Sequence, residues 1–302
     1  MKRKVIQIAG STCLVSLPKP WIVKYGIKKG EELDVEENGH NIIISTDKAV
    51  YTSKITLDPK VYGRFHKNFL SGCYHLGFDE VDIIFDHQDT ADLIQDRIQN
   101  CIGFEIVDQR KNFCSIKSIS RVSKEEFDQI LRKIFLLLLT TGQNCAEIME
   151  KGELSRMKEV ITLENTNNKL TDFCRRVLSK QGYKAPQKMP LMLLIISDLE
   201  RVADQYRDIG RHLHNKKMKI SDTTLRLLKE SNKFFEQFYT LFYKFEKEKM
   251  EAVYAEHARL DKDVGRAMEN AVKEERLVLH SIANIVSGVY ELTNNYFEMM
   301  LG

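Results

Sequence analysis

Pro190 is the last proline of the chain: 112 residues follow it, and through them apolar side chains recur at three- and four-residue spacing. Proline removes a backbone donor and collides with the preceding turn, so a long proline-free tract with this period can be helical throughout. The same period begins earlier, just beyond Ser123. It predicts an all-α bundle over residues 123–302, with helices at Lys124–Lys151, Leu154–Gln181, Lys188–His214, Asp222–Lys249, Met250–Lys273 and Glu275–Leu301. Gly142 marks a soft spot inside the first of them. The aromatic run Phe234, Phe235, Phe238, Tyr239, Phe242, Tyr243 and Phe245 has the spacing of a bundle core, with a dimer surface as the other reading.

The rest of the chain reads differently. Lys4–Ile8 alternates polar and apolar, Gly10-Ser11 interrupts it, and Cys13–Leu17 resumes an extended pattern. Pro20 suits the first position of a short helix that Gly26 ends. Glu32–Val35, the Asn38-Gly39 pair and Asn41–Ser45 read as a hairpin. So few residues in short strands bury little by themselves, which predicts that a partner chain completes the core. Residues 49–122 read as a small α/β unit: strands at Lys54–Leu57, Val81–Phe85, Phe104–Val107 and Phe113–Ile119, helices at Val61–Leu70 and Ala91–Cys101. It holds no nucleophile–base constellation and no Gly-rich phosphate loop. The expected organisation is thus a small all-β domain (1–48), a small α/β domain (49–122) and the all-α region (123–302), in keeping with the two or three domains that 302 residues suggest.

With 43% hydrophobic and 29% charged residues and only five prolines, collagen-like and wholly disordered chains are excluded. The longest apolar runs, Ile134–Leu139 and Leu191–Ile196, fall far short of the ~18 residues of a membrane span, so no direct membrane insertion is expected. Lys2, Arg3 and Lys4 precede an alternating run rather than a continuous apolar segment, which does not indicate export. Six cysteines without a C-x-x-C pair suggest neither a zinc knuckle nor a disulfide framework, and a reducing cytoplasm fits.

Charge is unevenly placed. Residues 1–30 contain Lys2, Arg3, Lys4, Lys19, Lys24, Lys28 and Lys29 and no acid; the +3 of the whole chain then leaves −4 elsewhere. A wholly cationic segment points to a polyanion, nucleic acid or an anionic membrane surface, with a solvated surface as the alternative.

The helical region repeats weakly. Ser197–Asp204 aligns with Gly288–Asn295, pairing Glu200 with Glu291 and Asp204 with Asn295; Glu164–Lys169 aligns with Asp261–Arg266. Two three-helix repeats (123–215 and 216–302), each incomplete alone, would form one elongated bundle. Glu200 and Asp204 are four apart on one helix face, and like charges there call for a cation. Glu164 and Asn168 share that spacing on the preceding helix, so an antiparallel pair could bring Glu164, Asn168, Glu200 and Asp204 to one hard-cation site. Arg201, Arg207 and Arg211 are near enough to pair with the acids instead. The second repeat is poorer: Asp261 and Glu291 remain, Gly265 and Asn295 replace their partners, and Asp263 could substitute.

Two families are resembled. Arg3-Lys4-Val5, Gly10-Ser11-Thr12, Val15–Lys19 and Gly26–Gly30 resemble the AbrB/SpoVT-type swapped-hairpin domain over residues 1 to about 46. That resemblance implies a homodimer through the N-terminal domain and double-stranded DNA as partner, with Lys2, Arg3, Lys4, Lys19 and Lys24 on phosphates and Ser11 and Thr12 as groove or phosphate donors. Asp198–Asp204 resembles the signature helix of the PhoU family, phosphate-uptake regulators with tandem three-helix bundles. It implies a divalent or iron/zinc metal ion at the Glu200/Asp204 site, and a phosphate transporter or sensor protein as partner. Glu164, Glu200 and Asp204 match the family's pattern; Asn168, Gly265 and Asn295 depart from it.

The expected function is a non-enzymatic, dimeric transcriptional regulator of phosphate uptake. The alternative is an adaptor that holds a transporter or sensor kinase through the bundle and does not bind DNA. A metal-dependent hydrolase is disfavoured, because no base or leaving-group acid stands near Glu200.

Overall fold

The computed structural model describes residues 2–301 except residues 9, 39, 47–52, 88 and 121–123. The expected boundaries at 48/49 and 122/123 and the hairpin residue Gly39 lie outside the described residues. Two compact units emerge, Met1–Ser53 and Lys54–Gly302.

In the first unit, strands β1 (Ile6–Ile8) and β2 (Thr12–Leu14) pair antiparallel, Ile6 opposite Leu14. Helix α1 (Lys19–Tyr25) carries Pro20 in its first turn, and Gly26 ends it in the left-handed conformation (φ 58°, ψ 35°) that glycine adopts at no steric cost. β3 (Asp34–Asn38) pairs with β4 (Asn41–Ser45), Asn38 opposite Asn41. These are two separate two-stranded sheets. No described residue of this unit is buried.

The second unit begins with a mixed sheet in the order β5 (Lys54–Leu57), β6 (Glu80–Ile84), β8 (Phe113–Ser118), β7 (Phe104–Arg110). Only β5 and β6 are parallel. The helix expected over Val61–Leu70 is two: α2 (Pro59–Tyr62) stops at Gly63, whose φ of 74° and ψ of −161° leave helical space, and α3 spans Lys67–His75. With α4 (Asp89–Ile98) they cover a core that includes Leu70, Tyr74, Val81, Ile83 and Ile116.

Six helices follow: α5 (Lys124–Lys151), α6 (Met157–Gln181), α7 (Met189–Leu213), α8 (Asp222–Tyr243), α9 (Lys247–Asn270) and α10 (Lys273–Leu301). The break between α8 and α9 comes at Lys244, extended at φ −143° and ψ 91°, six residues before the expected one. Without Gly or Pro there, the sequence carried no stop signal. α5–α7 and α8–α10 form the two triplets, joined where α7 packs on α10 and α5 on α8, and a single core runs through all six. The aromatic run enters that core: Phe234, Phe235 and Phe238 are fully buried, and Phe135 of α5 lies among Phe235, Phe238 and Phe242. α5 runs unbroken through Gly142. A β-carbon there would stand 2.7 Å from Asn232 Oδ1 and 2.8 Å from Tyr206 Oη, so the glycine serves close packing and not a break.

Candidate functional site: an acid–arginine seam between α6 and α7

The polar residues singled out on α6 and α7 do meet. The helices run antiparallel, as the Arg207–Glu164 and Arg175–Ser197 contacts require, and their facing sides are otherwise apolar. Into this face α6 sets Glu164, only 4% exposed, followed by Asn167, Asn168 and Thr171. Arg207 Nη1 donates to Glu164 Oε1 at 2.8 Å and also to Asp204, and Asn168 Nδ2 donates to the same Glu164 oxygen at 2.8 Å. One guanidinium nitrogen therefore joins the two carboxylates.

Glu200 is held apart. Arg175 Nη2 pairs with Glu200 Oε2 at 2.5 Å and donates to Ser197 Oγ at 3.2 Å. Burial, with the neighbouring charges of Glu164 and Glu200, outweighs Arg207 and pushes the Asp204 carboxyl up to about 6.

The residues present do not fit a metal ion at this point. The position between Glu164 and Asp204 is taken by a cationic nitrogen, Asn168 presents its N–H to Glu164, and Glu200 is engaged by Arg175. Among the described residues no three His, Cys, Asp or Glu side chains converge as metal ligands. In the second triplet Asp261 and Glu291 are both exposed, and Asp263 pairs with Arg259 at 3.1 Å. Asn295, the counterpart of Asp204, donates to buried Asp198 of α7 at 2.7 Å instead of facing α9. The corresponding seam between α9 and α10 holds a His257–Tyr290 ring stack at 4.2 Å and a Tyr254–Asn294 hydrogen bond.

A second polar cluster, absent from the sequence expectations, continues from the seam into the α/β part. Asp172 of α6 receives His75 Nε2 at 2.6 Å and Arg97 Nη2 at 2.5 Å, with Arg175 at 3.8 Å. Next to it Arg176 donates to Asp79 and to the carbonyls of Tyr74 and Phe78. The one available signal was Arg175-Arg176 set in an otherwise apolar stretch of helix, which signals a partner but not its identity.

A pocket of about 540 Å³ opens beside Ser221, Thr224, Arg226, Arg266 and Glu275. Its carboxylate accepts from the Ser221 N–H (2.7 Å), the Ser221 hydroxyl (2.7 Å) and the Thr224 hydroxyl (2.8 Å), and so caps the start of α8. Five of the six cysteines are buried; burial pushes the Cys101, Cys145 and Cys174 thiols up to about 12, which suits inert core residues and not nucleophiles.

All seven residues expected on DNA are exposed: Lys2, Arg3 and Lys4 precede β1, Ser11 and Thr12 lie at the first hairpin, and Lys19 and Lys24 lie on α1.

The geometry defines a helical array of two triplets in which the seam acids Glu164, Asp204 and Glu200 are matched by Arg207 and Arg175. Comparison with known proteins adds a likeness. No family model and no curated protein matches the sequence. Among solved structures, the chain is similar to the phosphate transport system regulatory protein PhoU from Streptococcus pneumoniae, with a TM-score of 0.47 and 13% identity over 58% of this chain and 94% of that one. Among the described residues no helix is long and apolar enough to cross a membrane.

Proposed function

We propose that this chain is a non-enzymatic regulator of phosphate uptake that acts by holding a phosphate transporter or sensor protein through its helical array. The observation that carries this reading is the pairing of Asp204, in the PhoU-like segment of α7, with Glu164 of α6 through Arg207 inside a twofold-repeated set of helices. Charges matched internally support a packed recognition scaffold and leave no acid poised beside a nucleophile at the seam. The direct test is binding of the purified full-length chain to the purified phosphate transporter or sensor kinase of its host, by interferometry. Saturable binding to either is expected; none to both removes the reading.

A second reading adds DNA. Ile6, Ile8, Leu14, Val35 and Ile42 are 47–71% exposed in a unit where no described residue is buried. Burying such a side chain contributes about 1.5–3 kcal/mol, and a second copy of the same segment is the occupant proposed here. The dimer would gather fourteen cations from the two acid-free segments. If about half meet phosphate, log K for random duplex DNA falls with log salt at a slope on the order of −6. A flat salt response removes DNA. In cells, glutamate at Lys2, Arg3 and Lys4 leaves the phosphate response intact under the adaptor reading and abolishes it under the DNA reading.

A further inference from the structure

We infer that Arg207 is the built-in counter-cation of the α6–α7 seam, and that removing its guanidinium exposes a site for a hard divalent cation formed by Glu164, Asp204 and Asn168. The inference goes beyond the regulatory proposal and holds whichever partner the array binds.

Three observations carry it. First, the two carboxylates reach one and the same nitrogen, Arg207 Nη1, so their oxygens already face a single cationic point. Second, Glu164 is 4% exposed and Arg207 is itself largely covered, its side chain 19% exposed, while Asp204 is 34% exposed and Asp208 accepts from Nη2, the outer edge of the same guanidinium, at 3.0 Å. Glu164, buried with the Asp204 carboxylate beside it, cannot remain ionised without a positive partner, because burial penalises its charged form and the neighbouring carboxylate penalises it further. Third, the seam holds unmatched acceptors: Asn168 Oδ1 is buried without a partner, and the side chain of Asn167, 1% exposed and one turn from Glu164, makes no hydrogen bond with either amide atom. Arg207 supplies donors only and cannot satisfy all of these at once. A divalent ion coordinated by carboxylate and amide oxygens could.

A covalent cation and a bound ion differ in one respect. The arginine cannot dissociate, so the seam's charge balance is independent of metal supply, chelators and competing ions. The expected phenotype of the wild-type chain is indifference to all three.

The test uses the full-length chain prepared without a histidine tag, with Mn²⁺ as the probe. After dialysis against MnCl₂ the wild type is expected to retain less than about 0.1 ion per chain, with a Tm unchanged by Mn²⁺ or by chelator. Arg207→Met is expected to retain about one ion per chain and to melt at least about 3 °C higher in millimolar Mn²⁺ than in chelator, since a ligand bound only by the folded state raises its stability. Adding Glu164→Gln to that variant should abolish the uptake. Two results overturn the inference: a wild type that holds stoichiometric Mn²⁺ which Glu164→Gln or Asp204→Asn removes, or a cooperatively melting Arg207→Met that takes up none. Should Arg207→Met fail to fold, Glu164→Gln and Asp204→Asn added to it must restore a cooperative transition, because the two seam charges are gone and Asp208, 45% exposed, is left to solvent; no restoration also overturns it.

Discussion

The guanidinium of Arg176 on α6, 1% exposed, lies 3.1 Å from the carboxylate of Asp79, the residue just before β6 and 97 residues earlier in the chain. The same group donates to the Phe78 carbonyl at 2.7 Å and the Tyr74 carbonyl at 3.1 Å, and stands 5.0 and 4.8 Å from the Tyr74 and Phe104 ring centres. Lys180 also pairs with Asp79. One side chain thus anchors the α/β part to the bundle through an ion pair, two carbonyls and two aromatic rings. Lys180 still faces Asp79 once the guanidinium is gone, so the loss from Arg176→Met is mainly that of the donors to two buried carbonyls and should cost about 2–3 kcal/mol. Urea unfolding checks the size, and hydrogen exchange should show α3 and β6 losing protection before the bundle does.

Asp172 makes that anchorage sensitive to acid. Burial pushes its carboxyl up, but the His75 hydrogen bond and the charges of His75 and Arg97 outweigh burial and hold it below the usual carboxylate range. A lowered value in the folded state means stability that is present above the unfolded value near 3.9 and is lost as pH falls through the folded one. The urea midpoint of the wild type should therefore drop more steeply below about pH 4 than that of Asp172→Asn, which should already be weaker at pH 7. Parallel curves would show that Asp172 contributes no such charge.

Asp204 has the opposite sign. Its carboxyl is raised to about 6, so its contribution is fully present below about pH 3.9 and is lost as pH rises through 6. Asp204→Asn should melt at or above the wild-type temperature at pH 8, with that advantage shrinking toward pH 4. Glu164 and Asp208 still pair with Arg207 in this variant, so its guanidinium keeps partners. Calorimetry at the two pH values decides the matter.

Gly142→Ala separates local preference from packing. Alanine favours a helix interior over glycine by about 1 kcal/mol. Here its methyl would meet Asn232 Oδ1 and Tyr206 Oη, which hydrogen-bond each other at 2.7 Å, while Asn232 Nδ2 donates to the Gly142 carbonyl. Overpacking of that kind costs about 1–3 kcal/mol, so the substitution should lower the denaturant midpoint. A rise would mean that α5 and α8 separate without loss.

The helices were legible because their period is a local property. The absence of proline after Pro190 and the three- and four-residue recurrence of apolar side chains place α5 at the expected Lys124–Lys151. Glu164, Glu200 and Asp204 were equally legible as facing acids, because residues four apart share a helix face and an antiparallel neighbour brings two such faces together. What lies between them was not legible: metal ion and arginine both answer the same charge. Arg207 and Asp204 are three residues apart on one helix, but Glu164 comes from another, 43 residues away, and only the approach of α6 to α7 selects Arg207.

The same limit applies to Arg176 and Asp79, to Asp172 with His75 and Arg97, and to the turning of Asn295 toward Asp198. From its sequence alone this protein has its helical period, its repeat and its cationic first thirty residues, all set by neighbours along the chain. The tertiary structure alone decides which buried charge meets which, because a desolvated carboxylate takes the nearest donor in space, and folding sets that distance.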